Sequence, residues 1–533
     1  MKIFEYYELI PERSIVARSN TKESVLTPEL RRIATVVVLG SIMSILDTTI
    51  VAVALDTLGK DFHVSVSTIQ WVTTGYLLAL AVVIPVTGWA VDRVGAKPMW
   101  MISLTLFIIG SSLCGVAWSA NSLIFFRVLQ GLGGGMILPI GQSMMARAAG
   151  PQRMGQVMSV IGVPTVMGPV LGPVLGGLII SNFSWRWIFY INVPVGIITL
   201  ILSSRYLDGK QEKVKASFDT LGFCLLSPGL AALVYSLSEV GITGSFTSTQ
   251  TLVSFFLGVV LMVAFVFHAL HIKNPLLELR LFKSRTFTIA NISIFVMGAT
   301  LFGSMFLLPL YYQIARGQSP WQAGLLMAPQ GLGAACVMRL SGRVTDRLGP
   351  RKVVPAGIIV MAVATVPFAF VTGSTSEVLL AITLFARGLG LGMSMMPIMA
   401  AAYFDLNPAQ IPKASTTLNI MRQIGASVAV AAFAVVLQRQ IIERTSHGAH
   451  SSGAAPSLDG TVKLPPEIAN QVAGAFAHTF WWSVVTILIA FIPTMFLPNK
   501  AAKSIGPPPS GPSGNGQGTD SPAPTAAPVL LVD

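Results

Sequence analysis

The chain reads as an all-α membrane protein with 14 transmembrane helices, two six-helix halves with two further helices inserted between them. Three observations lead there: a composition too apolar for a water-exposed surface, fourteen apolar runs of spanning length, and a loop motif that recurs 254 residues further on. Hydrophobic residues make up 53% of 533 residues before 49 glycines are counted, and only 11% are charged. Soluble domains carry about 25% charge, so a lipid-facing surface is the one that fits. The net charge of +13 does not signal nucleic-acid binding, because the Lys and Arg residues are scattered through short loops rather than gathered on one polar face.

A bilayer core of about 30 Å needs about 20 helical residues. Six such runs lie at about 33–55, 69–91, 99–118, 122–146, 155–180 and 187–206, and two more at about 219–239 and 250–271. The last six lie at about 287–312, 321–340, 353–372, 376–398, 417–438 and 479–497. Runs this long and continuous satisfy their backbone groups as helices, not as the alternating strands of a barrel. No cleavage pattern follows the first run, so no signal peptide is expected. Cys114, Cys224 and Cys336 fall in apolar runs without metal-ligand spacing and are expected as buried apolar side chains.

The basic residues set the orientation. Of 35 Lys and Arg, 26 lie in the termini and the loops on their side, which is therefore assigned to the cytoplasm. The opposite loops hold six, Lys60, Arg186, Arg316, Arg439, Arg444 and Lys463, and Arg127, Arg387 and Arg422 lie inside spans. A miscounted helix would invert every later loop and destroy this asymmetry. All nine tryptophans fall near span ends, as interfacial indoles do.

The resulting organisation is a cytoplasmic segment 1–32, a six-helix bundle 33–206, two inserted helices within 207–286, a second bundle 287–497 containing an extracytoplasmic loop 440–478, and a tail 498–533. The tail, with its GPPPSGPSGNGQG run, is expected to be disordered.

The repeated motif is G-x-x-x-D-R-x-G, seen at Gly88, Asp92, Arg93 and Gly95 and again at Gly342, Asp346, Arg347 and Gly349. Two related halves with a site between them are a common plan for secondary transporters. Asp47 is the only acid well inside a span, and it lies at a depth similar to that of Arg127, so the two can pair across helices 1 and 4. Burial penalises an ionised carboxylate and a neighbouring arginine favours it, so such a pair can exchange a proton against cargo or cavity opening, or simply hold two helices together. Arg387 lies near mid-membrane without an acid to pair with, facing helix carbonyls, water or an anionic cargo group, while Arg422 is expected to reach the interface by snorkelling. Gly168, Gly172 and Gly176 form a small-residue stripe, and Pro169 and Pro173 favour a kink. The glycines at 131–135 and 388–392 follow no strand, so they read as packing glycines rather than a phosphate loop. No Walker motif, metal cluster or catalytic set is visible, so neither enzyme activity nor a cofactor is expected.

The residues resemble the 14-helix EmrB/QacA-type drug:proton antiporter family of the major facilitator superfamily over about 33–498. The resemblance rests on Leu46, Asp47, Thr48, Thr49, Ile50, Val51, Ala54 and Leu55; on Gly88, Asp92, Arg93, Gly95 and Lys97; and on Arg127, Gln130, Gly131 and Gly133. It continues through Gly168, Pro169, Gly172, Pro173, Gly176 and Gly177 and the run WRWIFYINVP from Trp185 to Pro194. Asp56, Ala96 and the lack of an acid in 417–438 depart from the family pattern and leave the proton stoichiometry open. The resemblance implies a major facilitator fold and proton-coupled export, by alternating access, of amphipathic or lipophilic, chiefly cationic compounds across a bacterial cytoplasmic membrane. In that reading the proton gradient is the energy source and the first loop copy, with Asp92 and Arg93, is a gate. From the residues themselves, Asp47, Arg127 and Arg387 are the candidates for coupling protons to substrate and Asp346 and Arg347 for a second latch, a solvated loop set only by the charge bias being the alternative. Export of an endogenous lipid, siderophore or metabolite, and a non-transporting receptor of the same fold, are the rival readings.

Overall fold

The computed structural model describes residues 27–150, 153–208, 217–243, 246–446 and 466–499, and all regular elements among them are helical. The first six spans are α1 (Pro28–Asp61), α2 (Val66–Val83) with α3 (Val86–Val94), α4 (Ala96–Gly115), α5 (Ala120–Ala149), α6 (Met154–Asn182), and α7 (Trp187–Tyr190) with α8 (Asn192–Tyr206). The inserted pair is α9 (Thr220–Thr243) and α10 (Thr249–His271). The last six are α11 (Arg285–Leu310), α12 (Pro320–Leu348), α13 (Pro350–Thr365), α14 (Glu377–Ala402), α15 (Ile411–Ser446) and α16 (Pro466–Thr494). Twelve stretches cross by length and composition, and fourteen when the two bent pairs count as one span each.

Local chemistry explains the boundaries. Thr27 accepts from Leu30 N at 3.3 Å and Pro28 follows, a favourable start for α1. Ser119 with Ser122, and Ser319 with Gln322, form capping boxes that open α5 and α12. Pro85 lacks an N–H to continue α2, and the chain bends by 54° into α3. The last glycine of each motif copy, Gly95 and Gly349, has φ of +106° and +83° and joins consecutive helices in a conformation that a Cβ would strain. The motif is therefore first a backbone device: it turns one span sharply into the next in both halves.

Packing places the halves. The α4–α5 and α12–α14 contacts are made backbone to backbone by glycines; at Gly133 an added Cβ would lie 2.6 Å from Phe107 N. α6 has two working faces. Gly168, Gly172 and Gly176 lie against Ile45, Thr49 and Ile50 of α1, while Pro173 and Gly177 meet Gly324 and Trp321 of α12. α6 thus ties the helix that carries Asp47 to the second half. It bends by 43° between Gly168 and Leu171, in line with the kink expected from its prolines. Inserted helix α9 touches both halves: Ser227 donates to Val82 O of α2 at 2.8 Å, and Leu237 and Val240 pack on Ala431 of α15.

Several sequence expectations are corrected. Within the segment expected as a loop at 440–478, α15 runs to Ser446 and α16 starts at Pro466, its first turns packing Val472, Ala473 and Phe476 into the core, while 447–465 lie outside the described residues. Of the cysteines only Cys114 is buried, while Cys224 and Cys336 face outward, where lipid accepts a thiol as readily as a core does. Trp100 is fully buried and donates to Ser203 Oγ at 3.0 Å, filling space left by Gly40 and Gly141. The N-terminal segment through residue 26 and the tail from 500 lie outside the described residues.

Candidate functional site

Asp47 and Arg127 meet inside the first half at 1% and 0% exposure, with Nη1 2.5 Å from Oδ2. The other carboxylate oxygen, Oδ1, accepts from Gln130 Nε2 and Asn192 Nδ2, each at 2.9 Å. Arg127 also donates from Nη1 to Gln130 Oε1 at 2.9 Å and from Nε to Val72 O at 3.2 Å, and its guanidinium carbon lies 4.0 Å from the centre of the Tyr76 ring. Asn192 reaches Ser111 Oγ at 3.1 Å, and Ser111 donates in turn to Phe189 O at 2.8 Å. Five spans thus converge on one carboxylate.

The depth match between helices 1 and 4 foretold the pair. Asn192, Ser111 and Tyr76 were not singled out as site residues, although Asn192 lies in the INVP run and is a polar residue in an apolar span. Such an arrangement is chemically asymmetric. Protonating Asp47 would remove the counter-charge of Arg127 and leave it neutral acceptors and a ring face, so proton occupancy and helix packing are linked.

Arg387 lies apart from this cluster, on α14 at 3% exposure. It donates from Nε to Thr365 Oγ1 at 3.1 Å, from Nη1 to Gln330 Oε1 at 3.0 Å, and from Nη2 to Ser304 Oγ. No carboxylate pairs with it among the described residues. Arg422 corrects the snorkelling expectation: it donates to Asn419 Oδ1 at 3.0 Å, and Asn419 donates to Gln142 Oε1 of α5 at 2.6 Å. The guanidinium borders a cavity of about 10 Å³, room for about one water, whose other walls include Met297, Met395 and Met399. The polar partners within the bundle outcompete the reach to the interface.

The two motif copies lie on one face and act differently. Asp346 accepts from Gly155 N at 2.9 Å and Gln156 N at 3.2 Å, capping the first turn of α6 across the two halves. Asp92 lies 3.6 Å from Arg147 of its own half, and a Cβ on Gly88 would lie 3.2 Å from Thr416 Oγ1 of α15. Arg93 and Arg347 are exposed.

A helical, multi-pass membrane protein of two six-helix halves, each with a buried arginine in its own polar cluster, has the architecture of a secondary transporter. The Major Facilitator Superfamily family model matches residues 37–430, and the chain belongs to that family of transporters. It is 38% identical over 490 residues to a "Multidrug resistance protein B homolog" of Mycobacterium tuberculosis, covering 89% of this chain and 91% of that one. It is 28% identical over 485 residues to "Multidrug resistance protein 3" of Bacillus subtilis, covering 87% and 94%. Among solved structures, a double-Trp mutant of XylE matches with TM-score 0.60 at 14% identity, covering 89% and 97%, and shows the fold. The human organic anion transporter MFSD10 does so with TM-score 0.57 at 16% identity, covering 88% and 100%.

Proposed function

We propose that the chain is a proton-driven exporter, an antiporter of amphipathic or lipophilic, chiefly cationic compounds, seated in a bacterial cytoplasmic membrane with both termini in the cytoplasm. The observation that carries this reading is the buried Asp47 carboxylate, held by Arg127 and Gln130 of α5 and by Asn192 of α8. A carboxylate at that depth is costly unless its charge is used, and a proton gradient supplies the use without any bound cofactor. Multidrug-resistance relatives that align over almost the whole chain support the choice of cargo. The excess of Lys and Arg on the motif face supports its assignment to the cytoplasm.

In this cycle a proton arriving at Asp47 loosens its grip on Arg127 and Asn192, which frees α1 to shift against α6. α6 passes that shift to α12, and the Asp346 cap on α6 opens and closes with it. Uptake of ethidium into inverted vesicles under an imposed pH gradient tests the reading. Accumulation that needs the gradient and is lost in Asp47→Asn supports it; accumulation equal in the variant overturns it. Neutral lipids in the same assay distinguish cargo classes.

A further inference from the structure

The two halves hold the same five-helix constellation. In the first, Arg127 of the fourth span meets Asp47 of the first and Tyr76 of the second, while Asn192 of the sixth bridges Asp47 to Ser111 of the third. In the second, Arg387 of α14 meets Ser304 of α11, Gln330 of α12 and Thr365 of α13, while Ser483 of α16 lies 3.2 Å from Ser304. Tyr76 and Gln330, and Ser111 and Thr365, are each separated by the 254 residues that separate the motif copies. Arg127 and Arg387 are 260 residues apart and Asp47 and Ser304 257, so the correspondence is one of register on the second and third spans and one of contact on the others.

One replacement changes the chemistry. Where the first half places Asp47 against its arginine, the second places Ser304, which has no proton to give up in the working pH range. Arg387 is met by three neutral oxygens, so its charge is solvated by fixed dipoles and needs no titrating partner. Besides Asp47, the only buried carboxylate among the described residues is Asp219, which sits outside the spans and is engaged by Gly222 N, Leu276 N and His268. The titratable or charged groups facing Asp47 are Arg127 of α5, Tyr76 of α2 and Cys114 of α4; α6 contains none, and α7 and α8 present the Phe189 ring and Asn192.

We propose that the transporter exchanges one proton per cycle, carried by Asp47, and that the second-half constellation is its fixed counterpart, with Ser304 in the acid's place and Arg387 charged throughout. This rests on the proton-driven reading above and adds the stoichiometry. Exchange of one proton for a monovalent cation moves no net charge, so the pH gradient drives it and the membrane potential does not.

The test uses the full-length chain in liposomes with ethidium as probe, reading the equilibrium accumulation ratio against an imposed pH difference, with the potential set separately by potassium and valinomycin. One proton per cation gives about a ten-fold change in the ratio per pH unit, unaffected by the potential. The same slope is expected in Ser304→Ala, and a flat line in Asp47→Asn. A slope of about a hundred-fold per pH unit with potential dependence, or a changed slope in Ser304→Ala, overturns the one-proton assignment while leaving proton-driven export intact. A flat wild-type line overturns both.

Discussion

Asn192 Nδ2 lies 2.9 Å from Asp47 Oδ1 across 145 residues of sequence, so the sixth span of the first half holds the acid of the first. The same amide reaches Ser111 of the third span, and the acid is thereby fixed from a direction that neither Arg127 nor Gln130 occupies.

Asn192→Ala is expected to slow gradient-driven transport by about 10-fold, the equivalent of one hydrogen bond to a charged group at about 1.5 kcal/mol. Cargo affinity, read by fluorescence binding, should change far less than turnover, because the amide positions Asp47. Rescue by Asn192→Gln would strengthen that role, and an equal loss of binding would count against it.

Arg127→Leu leaves a buried carboxylate without its counter-charge and should lower stability by about 3–5 kcal/mol. Combining it with Asp47→Asn should recover a large part of that loss, because the partners are coupled. Thermal unfolding of the solubilised protein, followed by size-exclusion fluorescence, measures both. Additive losses would mean that the two residues do not stabilise each other.

Asp346→Asn removes the negative charge from the first turn of α6. The helix-terminus interaction is worth about 0.3–2 kcal/mol, so the closed arrangement of this face should lose population by about 2- to 30-fold. Hydrogen exchange at the Gly155 and Gln156 amides should quicken, and turnover should change while cargo affinity holds. Unaltered protection of those amides would remove Asp346 from gating.

Gly172→Ala drives a methyl group into Thr49 of α1 and should destabilise by about 1–3 kcal/mol. Thr49→Ala in the same chain opens the space and should restore much of the transport lost. A failure of the second substitution to help would mean that the α1–α6 contact is not the point of damage.

The fold was legible because lipid imposes a simple rule: spanning segments must be long, apolar and helical, and their loops carry a charge bias. The Asp47–Arg127 pair was legible for the same reason, since ionised groups inside a span stand out. Asn192, Ser111 and Tyr76 were missed because uncharged polar residues are common in spans and nothing in one span's sequence shows which neighbour they face. Arg422 was misassigned by the same limit: its partners Asn419 and Gln142 lie on different helices, and only the packing brings them together. The start of α16 was read as loop because its core residues Val472, Ala473 and Phe476 alternate with polar ones such as Asn470, Gln471 and His478, which breaks the continuous apolar run without breaking the helix.

The most direct measurement of the central claim is proton release on cargo binding. Purified full-length protein in weakly buffered detergent, with a pH-sensitive dye, receives ethidium under conditions where Asp47 starts protonated. The wild type is expected to release protons in proportion to occupied sites, and Asp47→Asn to bind ethidium without releasing any. Release of the same quantity by the variant would contradict the assignment of Asp47 as the proton carrier.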